Sequence, residues 1–206
     1  MKRNALDYLS HVNNDASLFD SLTKLQNEIN VYFDTKVLAI TSINDDALAA
    51  ALAKALADAY SMNGSNALII DANLYNPSLE SYIESHNEDD TITVSEKNEV
   101  LSGYNRQVTV AGNVKTICLD KQIYPGNAYK DGAVHNIIES NKNSYEHIIV
   151  LVPSVKEHQD VVLLKNVINS SLLVVKRNIT KKEDIYNAIQ FFRVNELPLA
   201  KTIVIK

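Results

Sequence analysis

The sequence predicts an α/β fold: a single domain with a mostly parallel sheet flanked by helices. Three observations carry that prediction. Short apolar runs alternate with helical patterns along the chain. The runs are nearly continuous in apolar residues, as strands covered on both faces are. No repeat, low-complexity tract or change of composition divides the 206 residues, so one core is expected over 1–206.

Residues 1–15 are polar and are expected to be flexible. Around 20–29 an apolar stripe of Leu22, Leu25 and Ile29, continued by Phe33, marks an amphipathic helix. The first strand is expected at 37–41. A polar turn, 42–46, leads into an Ala- and Leu-rich helix over about 47–62, with Gly64 at its end. Residues 67–71 form the second strand. The mostly polar stretch 84–98 contains Glu88-Asp89-Asp90 and reads as a surface excursion with little regular structure. A third strand is expected at 114–119, and Pro125-Gly126-Asn127 reads as a turn. Then follow a helix over about 131–141, a strand at 148–152, a helix over about 159–169, a strand at 171–176, a helix at 181–195 and a closing strand at 202–205. This order implies right-handed crossovers between parallel strands.

Composition excludes several function classes. Hydrophobic content of 46% and charged content of 22% are those of an ordinary soluble domain. A net charge of −5 argues against a nucleic-acid surface, which needs clustered Lys and Arg. One cysteine, Cys118, sits in an apolar run and cannot form an internal disulfide, which fits a reducing cytoplasm. No run is long enough to span a bilayer and the N-terminus lacks a signal-peptide core, so no direct membrane insertion is expected. The five histidines show no i,i+4 pair, no metal site is expected, and no Gly-x-Ser-x-Gly elbow occurs.

The informative stretch is Lys36 to Ala51, KVLAITSINDDALAAA. It has the layout of a phosphate-binding loop: buried strand, short turn, helix. It lacks the chemistry, since the turn holds no glycine to let backbone amides wrap a phosphate. The helix opens on Ala49-Ala50-Ala51, where lysine and hydroxyl residues would stand. Two carboxylates, Asp45 and Asp46, occupy the place where anions bind. They favour the helix dipole and disfavour a triphosphate by like charge, and Ser42 or Asn44 is expected to add a cap. Lys54 lies about 7–8 Å further along the helix, too far to replace the missing lysine.

This frame resembles the bacterial tyrosine kinases of capsule and exopolysaccharide export, and more loosely the ParA/MinD-like ATPases of the deviant P-loop NTPase fold. The family reads strand, T-S-x-x-P-G-x-G-K-S/T, helix, Gly, then a strand ending V-D-x-D. Here Thr41-Ser42-Ile43-Asn44-Asp45-Asp46-Ala47-Leu48-Ala49-Ala50-Ala51 matches that spacing without a gap. Asp46 and Leu48 replace the glycines and Ala49 the lysine. In Asp71-Ala72-Asn73, Asp71 is the residual family carboxylate and Asn73 the weakened second position. In Tyr145-Glu146-His147-Ile148-Ile149-Val150-Leu151, Leu151 stands at the family's second metal Asp. Asp160 and the segment Thr180-Lys181-Lys182-Glu183-Asp184 resemble the family's segment after that motif. Lys206 stands where the family usually has an Asn near the adenine. In the first helix Thr23 and Gln26 replace the arginines of the family's assembly helix, and the Tyr-rich tail is missing. Tyr124, Tyr129 and Tyr145 are possible acceptors for another kinase, with ordinary packing the stronger reading.

The resemblance implies a non-catalytic, pseudokinase-like interaction or regulatory protein of capsular or exopolysaccharide biosynthesis. It has no catalytic residue and no cofactor, and lies in the cytoplasm, reaching a membrane only through a partner. That partner is a membrane chain-length adaptor or an active kinase paralogue. The alternative is a divergent ATP-binding tyrosine kinase or ATPase of the same family, using Mg-ATP through Asp71. A lysine or arginine aimed at the turn after Thr41 would favour that alternative. A third reading, a ParA/MinD-like positioning protein, would need a membrane helix that the C-terminus does not offer.

Overall fold

The computed structural model describes residues 16–33, 35–79, 81, 105–109, 113–119 and 124–205. The stretches 1–15 and 84–98 and Lys206 lie outside the described residues, so the expectations for them stay expectations. Helix α1 (Ala16–Phe33) precedes strand β1 (Val37–Ser42), helix α2 (Asp46–Met62) and strand β2 (Ala67–Asp71). Strands β3 (Asn105–Thr109) and β4 (Val114–Leu119) follow, then helices α3 (Pro125–Lys130) and α4 (Ala133–Asn141). Strand β5 (His147–Leu151), a short 3₁₀ turn (Asp160–Leu164), strand β6 (Ser170–Lys176), helix α5 (Lys182–Val194) and strand β7 (Leu199–Ile205) complete the chain.

The seven strands form one sheet in the order β3-β4-β2-β5-β1-β6-β7. Six of them run parallel, and β3 pairs antiparallel with β4 at one edge. Strands β1 and β2 are buried throughout, and β5 and β6 at all but one end residue each, because helices cover both faces. One core lies between the sheet and α1 and α2, around Leu22, Ile29, Leu52, Leu56, Ile69 and Leu172. The other lies beneath α3, α4 and α5, around Tyr129, Ile137, Ile148, Val150, Leu173 and Phe192. Helix α2 is buried along most of its length, and its alanines let it lie close to β1, β2 and β5.

Three expectations need correction. Residues 159–169 do not form a helix. Only 160–164 coil, with successive i+3 bonds such as Lys165 N–H to Val162 and Val167 N–H to Leu164. Val161, Leu164, Val167 and Ile168 are all buried, and Asn169 pins the end by accepting the Val37 N–H at 2.8 Å. Pro125 opens a short helix rather than a turn, because its ring presets the helical φ and its missing N–H costs nothing at that position. Strand β3 was not expected. Asn105, Arg106 and Gln107 do not read as an apolar run, but an edge strand needs no such pattern.

Candidate functional site

Site geometry follows from the strand order. β1, β2 and β5 are adjacent at the centre, and their carboxyl ends bring three loops together: 42–46, 72–79 and 152–160. Open α/β sheets bind ligands at this position.

The turn after β1 is closed by its own acids. Asn44 takes the left-handed conformation, φ 70°, which turns the chain into α2 without a glycine. The N-cap is Asp45, not Ser42 or Asn44: its Oδ1 accepts the Leu48 N–H at 3.1 Å. The other oxygen of Asp45 accepts from Lys176 Nζ at 2.8 Å, at the end of β6. Asp46 accepts from Ser42 Oγ at 3.1 Å and from Asn76 Nδ2 at 2.7 Å, and its carbonyl accepts from Ser78 Oγ at 3.1 Å. Lys156 reaches the turn from beyond β5, donating to Asn44 Oδ1 at 3.4 Å while pairing with Asp184 at 3.0 Å. Thr41 ties β1 to the third loop through a 2.9 Å bond to the Pro153 carbonyl.

Leu48, Ala49, Ala50 and Ala51 are buried against the sheet, so these positions carry packing. Lys54 points away from the turn's network and pairs with Asp58 one turn on, at 2.6 Å. Leu151 is buried in the α2 core and lies in register with Asp71 on the neighbouring strand.

Asp71 is buried at the end of β2 and organises the second loop. Its Oδ1 accepts the Asn73 N–H at 3.1 Å, and its Oδ2 accepts those of Ser78 and Leu79 at 3.1 and 3.0 Å. Burial pushes the Asp71 carboxyl up to about 6, against the pull of these three amides, and the Asp46 carboxylate adds to the rise. Asn73 is buried too, its Oδ1 accepting the Asn76 N–H at 3.3 Å. Tyr75, in the same loop, stacks on His158 with ring centroids 3.5 Å apart and donates to Asp160 at 2.8 Å. Among the described residues no group of three His, Cys, Asp or Glu side chains gathers to hold a metal.

Of the residues singled out in sequence, Asn44, Asp45, Asp46, Asp71 and Asn73 come together at one end of the sheet. Ser42, expected only as a cap, joins them through Asp46; Asn76, Ser78, Lys156 and Lys176 belong with them too and were not singled out. They are ordinary polar residues far apart in the chain, and only the sheet order joins them. Gln26, which replaces an arginine of the resembled assembly helix, lies 2% exposed against α2, donating to the Leu56 carbonyl and accepting from Asn63, both at 3.2 Å. Tyr129 is fully buried and donates to the Ala72 carbonyl at 2.7 Å, so it is no surface acceptor.

We expect that replacing both Asp45 and Asp46 by Asn lowers stability by roughly 0.5–2 kcal/mol, through loss of charge at a helix start and of the Lys176 pair. Urea denaturation of the double variant measures this. A stabilised variant would mean that the acids are strained and serve binding.

No family model matches the chain, and no curated protein matches it. Solved structures do. The kinase domain of the Escherichia coli tyrosine kinase ETK superposes with a TM-score of 0.72 at 17% identity, covering 95% of this chain and 78% of that one. The fold is that of the bacterial tyrosine kinase domains. The chimerical protein CapA2B2 superposes with a TM-score of 0.76 at 16% identity, covering 99% of this chain and 90% of that one. A looser match is the MinC:MinD cell division complex of Aquifex aeolicus, at 0.56 and 20% identity, covering 82% of this chain and 68% of that one. Residues 42–51 hold the end of β1, a turn and the start of α2, and no described helix is long and apolar enough to cross a membrane.

Proposed function

We propose that this chain is a catalytically silent, pseudokinase-like interaction or regulatory protein. One observation supports this reading above the others. A phosphate loop offers an anion two things, free amides at a helix start and a lysine. Here the Leu48 amide and Lys176 are both engaged by the Asp45 carboxylate. A triphosphate would have to displace a tethered carboxylate and meet Asp46 beside it. Capsular or exopolysaccharide biosynthesis is the pathway that the family likeness favours. A membrane chain-length adaptor or an active kinase paralogue is then the partner, met in the cytoplasm at the membrane face.

Ligand binding raises stability by RT ln(1 + [L]/Kd), so millimolar Mg-ATP should leave the melting temperature unchanged. An upward shift reproduced with ADP and absent with phosphate salt overturns the proposal.

A second reading has a specific observation in its favour. Lys156 and Lys176 both aim at the turn, which is what a divergent ATP-binding member would need. In that reading Asp45 swings out when Mg-ATP enters and Asp71 assists the metal. The same thermal-shift measurement separates the two.

A further inference from the structure

The outer face of α5 and the loop leading into it carry a mixed basic and apolar stripe that the nucleotide question does not involve. The helix buries Ala188 and Phe192 in the core. Roughly a third of a turn round the helix from them, Lys182, Tyr186, Ile189 and Arg193 fall at i, i+4, i+7 and i+11, one line along the helix. Tyr186 is 62% exposed and Ile189 37%, and Ile179, just before the helix, is 60% exposed. Lys181 and Lys182 flank the stripe at its start and Arg193 at its end, all exposed. Among the described residues none of these three cations makes an ion pair. Lys181 and Lys182 also stand at a helix amino end, where the dipole disfavours positive charge. Unpaired cations thus bracket exposed apolar side chains, on a chain whose net charge is −5.

We propose that this stripe is a docking face for an acidic amphipathic helix of a partner protein. Tyr186 and Ile189, three residues apart, present the anchor spacing that packs against a second helix. The flanking cations complement acids on either side of the partner's apolar line and would steer its approach. A lipid surface fits less well. Interfacial helices sink a broad apolar face into the membrane. Here the apolar line is narrow, Glu183 lies exposed beside it, and Ile189 stands only partly clear of the protein. This inference deepens the proposed interaction role by naming a class of partner, and it rests on that reading only for the existence of a partner.

The test uses the full chain and a labelled three-heptad helical peptide with Leu at a and d and Glu at e and g, followed by fluorescence anisotropy. The peptide should bind, and more weakly as salt rises. The same peptide with Lys for each Glu should not bind. Lys182→Glu/Arg193→Glu and Tyr186→Ala should each weaken binding by about tenfold or more. Circular dichroism melts check the fold of each variant, and Arg193→Glu alone decides should either fail to fold. Absence of binding, equal binding of both peptides, or unchanged binding by the charge-reversed variant overturns the proposal. So does recovery of the chain on phosphatidylserine vesicles without peptide binding. These outcomes are independent of any Mg-ATP shift, so a failure here is distinguishable from a failure of the silent-turn reading.

Discussion

Leu151→Asp, which introduces an acid at the end of β5, should destabilise the protein by roughly 3–5 kcal/mol or more. Leu151 is 2% exposed and belongs to the core beneath α2. Its Cα partner across the strand pair is Asp71, itself buried. The new carboxylate would lie beside the buried Asp71 carboxylate, and the leucine's packing would be lost as well. Urea denaturation should show a large fall in midpoint, or no cooperative transition at all. A variant with the parent's midpoint would show that this end of β5 admits water or an ion. Recovery of a lost transition by millimolar Mg²⁺ would point the same way, toward the ATP-binding alternative.

Asp71→Ala should cost roughly 2–4 kcal/mol near neutral pH, because three backbone donors lose their acceptor at once. The amides of Asn73, Ser78 and Leu79 all converge on that carboxylate. Removing it frees the loop that also carries Asn76 and Ser78 to Asp46 and Tyr75 to Asp160. Hydrogen exchange over 73–79 should accelerate. The cost depends on pH in a definite direction. The folded carboxyl titrates near 6, above its ordinary value of 3.8. Between those two values the native protein holds the proton more tightly than the unfolded chain does. The parent therefore gains stability over the variant as pH falls from about 7 to about 4, by up to roughly 3 kcal/mol for a two-unit difference. A gap between parent and variant that stays flat over this range would show that Asp71 titrates normally.

Much of the frame was legible in the residues alone. Apolar runs such as 67–71 and 114–119 announce their strands because both faces of those strands are buried. The Ala-rich run after Asp46 announces a helix that must pack closely. The replacement of the motif's glycines and lysine was equally legible, since Asp46, Leu48 and Ala49 stand at that spacing. Periodicity served less well at 159–169. Val161, Leu164 and Ile168 carry helical spacing, yet only 160–164 coil, and as a 3₁₀ turn. The edge strand 105–109 went unread because a strand with only one neighbour needs no apolar pattern.

By itself the sequence determined an α/β frame and a turn without the glycines and lysine of the phosphate-loop motif. Tertiary structure alone decided what fills that place. Asp45 finds Lys176 at 131 residues' separation, Thr41 finds Pro153 at 112, and Asp46 finds Asn76 at 30. Such pairs have no local signature, because a hydrogen bond is set by distance in space and the sheet order sets that distance. The same holds for Gln26, polar and unremarkable in its helix, which only the docking of α1 on α2 turns into a buried bridge.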